Sequence, residues 1–211
     1  MYKAIVDPFK ATLATVGVGG VGLGAYGIYR IVPISKTENI GTRLVDEKFE
    51  LLNNSHTSHW KTSVDKYNGK KTSASIDETK LKTLCKNLLA KGKDSDSDYK
   101  QAKLYCVVPR NVQQRLLDTG IHALKTDGSE EEGDKSKWTT LAASYVIHGK
   151  GDDQIESLTL TEAGASSNNW SSLREKCKVV LGKDHWDDSF DSYLRKAKKW
   201  CTEESLLSLP K

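Results

Sequence analysis

Cysteine is scarce and late in this chain: four residues, none before Cys85. That leaves no thiol for a lipoprotein-type N-terminus. With no C-x-x-C anywhere, the one H-x-x-H pair, His56 and His59, lacks the two further ligands a zinc site needs. Basic residues are interspersed, and the net charge of +4 is modest for 211 residues. A nucleic-acid binder more often shows a clustered basic stripe or a recognisable fold motif, and neither is present, so no nucleic-acid partner is expected. There is no nucleophile elbow and no catalytic dyad at recognisable spacing. No catalytic, cofactor-binding or metal-ligating residues are therefore expected, and the chain reads as a non-enzyme.

Long apolar runs are also lacking, with one exception. Ala11 to Tyr29 is uncharged, rich in glycine and valine, and bounded by Lys10 and Arg30. Extended through Ile31 and Val32, it just reaches the roughly 20 apolar residues that a spanning helix needs. Tyr26 and Tyr29 fall where interfacial aromatics sit, and Pro33 ends the helix. Gly20 and Gly24 form a G-x-x-x-G pair suited to close helix approach. Two rivals exist. A basic start, an apolar middle and small residues also describe a cleaved signal peptide. Gly17 to Gly22 satisfies G-x-G-x-x-G, but no alternation of strands and helices follows to make it a dinucleotide loop. The preferred reading is a single-pass anchor over residues 1–35, contacting membrane lipid through residues 11–32.

About 175 residues follow, enough for one sizeable domain or two small ones. Their pattern predicts a mainly α-helical body made of a duplicated small unit, residues 40–109 and 110–206. Leu44, Val45, Phe49 and Leu52 open the first copy in a helical pattern. Trp60, Val64 and Tyr67 fall at helical spacing, as do Trp138, Leu141, Ala142 and Tyr145 in the second copy. Ser75 with Glu78, and Ser172 with Glu175, predict capping boxes. Behind them Leu81, Cys85, Leu88 and Leu89 match Leu173, Cys177, Val180 and Leu181. The segment Ala102 to Cys106 matches Ala197 to Cys201. Between these stripes, Ile155 to Leu160 is expected as a short strand.

Each copy thus holds one cysteine in its third helix and one near the end of its fourth. Antiparallel neighbours would pair Cys85 with Cys106 and Cys177 with Cys201; buried free thiols are the alternative. Positive residues flank the apolar run on both sides, so charge does not set its orientation. Cysteine parity places the body outside the cytoplasm.

Other candidate features read as structural. Asp94, Asp96 and Asp98 mimic half a calcium loop, but Tyr99 stands where glycine is required and Tyr105 where glutamate belongs. They are read as an acidic helix start, with Asp184, Asp187 and Asp188 in the equivalent place. Of the five tryptophans, Trp170 and Trp186 lie in loop or cap contexts and are the best candidates for an exposed interface.

The Gly/Ala/Val anchor, the polar helical repeats, and the segments Leu173-Arg174-Glu175-Lys176-Cys177 and Ala197-Lys198-Lys199-Trp200-Cys201-Thr202 resemble the paralogous membrane-anchored proteins of haemotropic mycoplasmas. The resemblance implies surface display on a wall-less cell, with host contact or antigenic variation as the role and no catalytic residues. The leading expectation is a membrane-anchored surface protein that meets a host or other protein partner. The alternative is a cytoplasmic-facing scaffold with reduced cysteines.

Overall fold

A computed structural model describes residues 38–70, 75–128, 134–161 and 166–209. The expected anchor lies outside the described residues. Among the described residues no helix is long and apolar enough to cross a membrane.

The described chain is mainly helical, with eight α-helices and no strand among the described residues. In order they are α1 (Ile40–Asp46), α2 (Thr57–Lys70), α3 (Glu78–Ala90), α4 (Asp96–Tyr105), α5 (Val112–Asp118), α6 (Lys135–His148), α7 (Ser166–Leu181) and α8 (Phe190–Trp200). Short 3-10 turns occupy Gly151–Asp153 and Glu204–Leu207.

Local chemistry explains the helix starts, in part against expectation. Helix α1 begins at a reciprocal box: the Asn39 side chain accepts the Thr42 N–H at 2.8 Å, and the Thr42 hydroxyl accepts the Asn39 N–H at 3.0 Å. Asn111 and Gln114 do the same for α5 at 2.8 and 3.0 Å. The predicted Ser75–Glu78 box does not form. Asp77, closer to the apolar stripe, caps α3 by accepting the Lys80 N–H. Ser172 and Glu175 lie inside α7, which starts at Ser166. Phe49 and Leu52 follow α1 outside any helix, because Lys48 takes a left-handed φ of 67° that ends it. The expected strand at 155–160 is irregular backbone that follows a 3-10 turn.

Two buried clusters result. One gathers Ile40, Leu44, Trp60, Leu81, Leu88 and Tyr105, among others, from residues 40–108, together with Trp186. The other gathers Leu116, Trp138, Leu141, Leu173, Leu181 and Trp200, among others, from the second half. Leu81, Leu141, Leu173 and Trp200 are fully buried, and each stabilises its cluster by roughly 1.5–3 kcal/mol through apolar burial.

Several contacts recur in the two halves. Ile40 N–H donates to the Lys91 carbonyl at 2.9 Å, and Val112 N–H to Lys183 at 3.1 Å. Leu52 N–H reaches the Cys106 carbonyl at 2.9 Å, and Leu124 N–H reaches Cys201 at 3.0 Å. The indole N–H of Trp60 donates to the Asn53 carbonyl, and that of Trp138 to Lys125, at 2.8 and 2.9 Å. Tyr67 meets Tyr105 edge-on at 5.0 Å, and Tyr145 meets Trp200 at 5.1 Å. Gly120, at φ 76°, ends α5 where Lys48 ends α1.

The cysteines complete the correspondence. Cys85 of α3 is bonded to Cys106, just past α4, and Cys177 of α7 to Cys201, just past α8, with Cα separations of 5.4 and 5.5 Å. Each bridge closes a loop of roughly 20 residues, and restricting the unfolded chain in this way stabilises by about 3 kcal/mol.

Candidate functional site

Polar and aromatic groups gather where the second half meets the first. The connection between α7 and α8 carries Asp184, His185 and Trp186 onto α2 and α4. Trp186, expected at an exposed interface, is only 7% exposed and belongs to the first half's core. Its position in a loop hid this, because burial here comes from a helix pair more than 80 residues upstream.

One carbonyl anchors the contact. Leu104 is in the last turn of α4, where carbonyls have no partner within the helix. It accepts the Trp186 indole N–H at 3.1 Å, and His185 Nε2 lies 3.2 Å from it. The helix end thus finds its missing donors in the other half. Burial keeps the His185 imidazole below the ordinary histidine value, which favours the neutral ring. Trp186 and Phe190 meet that ring edge-on at 5.3 and 5.7 Å.

Ion pairs surround this centre. Lys66 reaches Asp184 at 3.3 Å and lies 5.1 Å from the Trp186 ring centroid. Lys70 pairs with Asp188 and donates to the Trp186 carbonyl at 3.0 Å. Lys103 holds Asp191 at 2.7 Å. These pairs are largely solvent-facing, so they set register more than they add stability. Asp184, Asp187 and Asp188 were expected at a helix start. They precede α8, and two of them make the cross-half contacts just given.

Arg115 of α5 provides the second buried link. It is 5% exposed, its guanidinium lies 3.6 Å from the Phe49 ring centroid, and it donates to the Lys48 and Glu47 carbonyls at 2.7 and 2.5 Å. Those carbonyls close the C-terminal end of α1, the negative end of its dipole. The Glu47 carboxylate beside them accepts the Tyr99 hydroxyl, and burial pushes that phenol's pKa up.

Beside the junction is a cavity of about 250 Å³, lined among others by Tyr99, Lys103, Leu104, His185, Phe190 and Asp191. Lys103 and Asp191 in its lining are paired with each other, Asp188 is paired with Lys70 and Asp187 with Lys183, and His185 is turned to a backbone carbonyl. No nucleophile–base pair is formed by this set. Among the described residues no group of three or more histidine, cysteine or acidic side chains is placed to hold a metal. His56 instead accepts the Asn53 N–H through Nδ1 at 3.1 Å, and its Nε2 lies 3.2 Å from Glu50, ahead of α2.

Trp170, the other expected interface residue, is buried at 5% in α7. Arg174 and Lys135 lie 4.9 and 5.1 Å from its ring centroid. It is buried because α7 begins earlier than its serine signals suggested, which puts Trp170 on the same helical face as Leu173 and Cys177. Exposed apolar side chains occur elsewhere: Val45 and Leu117 project from corresponding places on α1 and α5. The α1–α3 side also holds an open groove of about 500 Å³, bounded by Gly41, Val45, Leu51 and Leu89.

Sequence reasoning missed Arg115 and the pairing of Trp186 with the first half. A signal for the latter was present. Cys85 and Cys177 are 92 positions apart, whereas Cys106 and Cys201 are 95 apart. The second half is therefore three residues longer between these helices, in the connection that holds Asp184, His185 and Trp186. No protein-family model, curated protein or solved structure matches this chain.

Proposed function

We propose that this is a membrane-anchored, non-enzymatic protein whose duplicated helical body is displayed outside the cytoplasm for contact with a host or other protein surface. The observation that carries this reading is the pair of buried disulfides, one at the same place in each half. Disulfides persist in oxidising surroundings and are rare where thiols are kept reduced. The largely apolar run at residues 11–32 supplies the anchor, and the resemblance to haemotropic mycoplasma proteins points the same way. Duplication is supported by the recurring caps, indole hydrogen bonds and aromatic pairs. The polar groups at the junction are engaged in joining the halves, which supports a binding role over chemistry. Val45 and Leu117 offer two equivalent apolar contact points.

The test is thiol labelling of intact cells with a membrane-impermeant reagent, before and after reduction. Labelling of all four cysteines only after reduction is the expected result. Labelling without reductant, seen only after lysis, would place the body inside with reduced thiols and sink the display reading in favour of a cytoplasmic scaffold.

A further inference from the structure

An anchor over residues 11–32 limits how far the body can stand from the bilayer. Five residues, Pro33 to Thr37, separate the apolar run from Glu38. Even fully extended, five residues span no more than about 18 Å. A headgroup layer takes roughly 5–8 Å of that reach. The residue after Glu38 is Asn39, which lies on the lip of the open groove between α1 and α3. That lip is therefore tethered within about 15 Å of the headgroups.

The groove is apolar along Gly41, Val45, Leu51 and Leu89, and Val45 is 51% exposed on its rim. Among the described residues its lining holds a single charged side chain, Lys86. Lys86 is exposed on α3 and makes no ion pair among the described residues. The second half differs at the same place. Equivalent residues lie 72 positions apart at Ile40 and Val112 and 92 apart at Cys85 and Cys177. Gly41, Lys86 and Leu89 therefore correspond to Gln113, Lys178 and Leu181. Gln113 carries a side chain where Gly41 has none. Lys178 is held by Asp127 at 2.6 Å, and Leu181 is buried where Leu89 is only partly so. The unpaired lysine and the less covered leucine thus occur in the half that follows the anchor.

We infer that the α1–α3 groove of the first half is a membrane-facing site for an anionic phospholipid, with the lipid phosphate on Lys86 and the upper acyl region against Val45, Leu51 and Leu89. The inference rests on the anchor and duplication readings above. The short tether supplies proximity, and two kinds of attraction then act together. Apolar side chains at a bilayer surface enter about 5–10 Å into the boundary between headgroups and acyl chains. A lysine held within a Debye length of an anionic leaflet is drawn to it. Val45 is thereby assigned to the bilayer, and Leu117, its counterpart on α5, is left for a protein partner.

The test uses the full chain in vesicles of phosphatidylcholine and phosphatidylglycerol that carry a nitroxide on the lipid headgroup. A maleimide fluorophore is placed at V45C or, as the control, at I147C on α6 of the second half, while the native cysteines stay in their disulfides. Ile147 is exposed to a similar degree, 57%, so exposure alone does not separate the two positions. Flotation with the vesicles reports the anchor independently of the groove. In the floating chain V45C is expected to be quenched about threefold more than I147C. Adding K86E is expected to remove most of that difference. Equal quenching at the two positions in a chain that floats overturns the proposal and leaves the anchor standing. Quenching at V45C that K86E leaves unchanged overturns the phosphate contact. A chain that does not float refutes the anchor and this site with it. Should V45C not fold with both disulfides, the fluorophore at K86C is compared with I147C in its place, and equal quenching again overturns the proposal.

Discussion

Replacing Trp186 by alanine puts the junction under the most direct strain, because the residue is encoded in the second half and buried in the first. Removing a nearly buried indole leaves a cavity beside Leu104, Lys66 and His185; such truncations cost about 3–5 kcal/mol. The Leu104 carbonyl keeps His185 as a partner, so losing the indole N–H adds about 1 kcal/mol at most. Against a total stability of roughly 5–15 kcal/mol, a loss near 4 is large. With a urea slope of about 2 kcal/mol/M, the unfolding midpoint should fall by about 2 M. Circular dichroism measures that shift, and native-state hydrogen exchange locates it. Amides of α2 and α4 should lose protection ahead of those of α7, although the substitution lies just after α7. A midpoint shift under about 0.5 M, or protection lost first in α7 and α8, would refute this account of the junction.

Other outcomes follow from the same geometry. Gly149→Ala places a methyl 2.6 Å from the Tyr145 ring, which is held by Ile155 and Leu158, so a loss of about 1–3 kcal/mol is expected in thermal unfolding. Serine in place of both Cys85 and Cys106, or of both Cys177 and Cys201, should each cost about 3 kcal/mol, and the two losses should add within about 0.5 kcal/mol in chemical denaturation. His185 is held neutral in the fold, while the unfolded chain takes up a proton near 6.5. The unfolded state therefore binds more protons below that value, and stability falls as pH drops through 6.5. His185→Asn should flatten that part of a stability-against-pH curve; an unchanged curve would show that the buried imidazole is not its source.

The sequence by itself determined the helices and most of the core. Spacings of three and four residues in Trp60–Val64–Tyr67, Trp138–Leu141–Tyr145 and Leu173–Cys177–Val180 can bury one face only as helices. The match between the two cysteine-bearing segments was likewise written in residue order, and the pairing of Cys85 with Cys106 and of Cys177 with Cys201 followed from it. Helix ends were less legible, because serine, asparagine and aspartate all cap well, and the choice of Asp77 over Ser75 depends on where the preceding chain runs. Only the tertiary structure decided what lies at the junction. Trp186 lies in a loop, and Arg115 is a charged residue on the otherwise apolar face of α5. Their burial is created by partners 67 to 82 residues away, at Lys48 and Leu104. The same holds for residues 149–161: Ile155 and Leu158 suggest a strand by composition but are held by the Tyr145 hydroxyl of α6, while Asp153 is held by the Trp200 indole of α8. Local propensity acts within a turn or two of helix, whereas which loop covers which face is settled by long-range contacts that no short window of sequence contains.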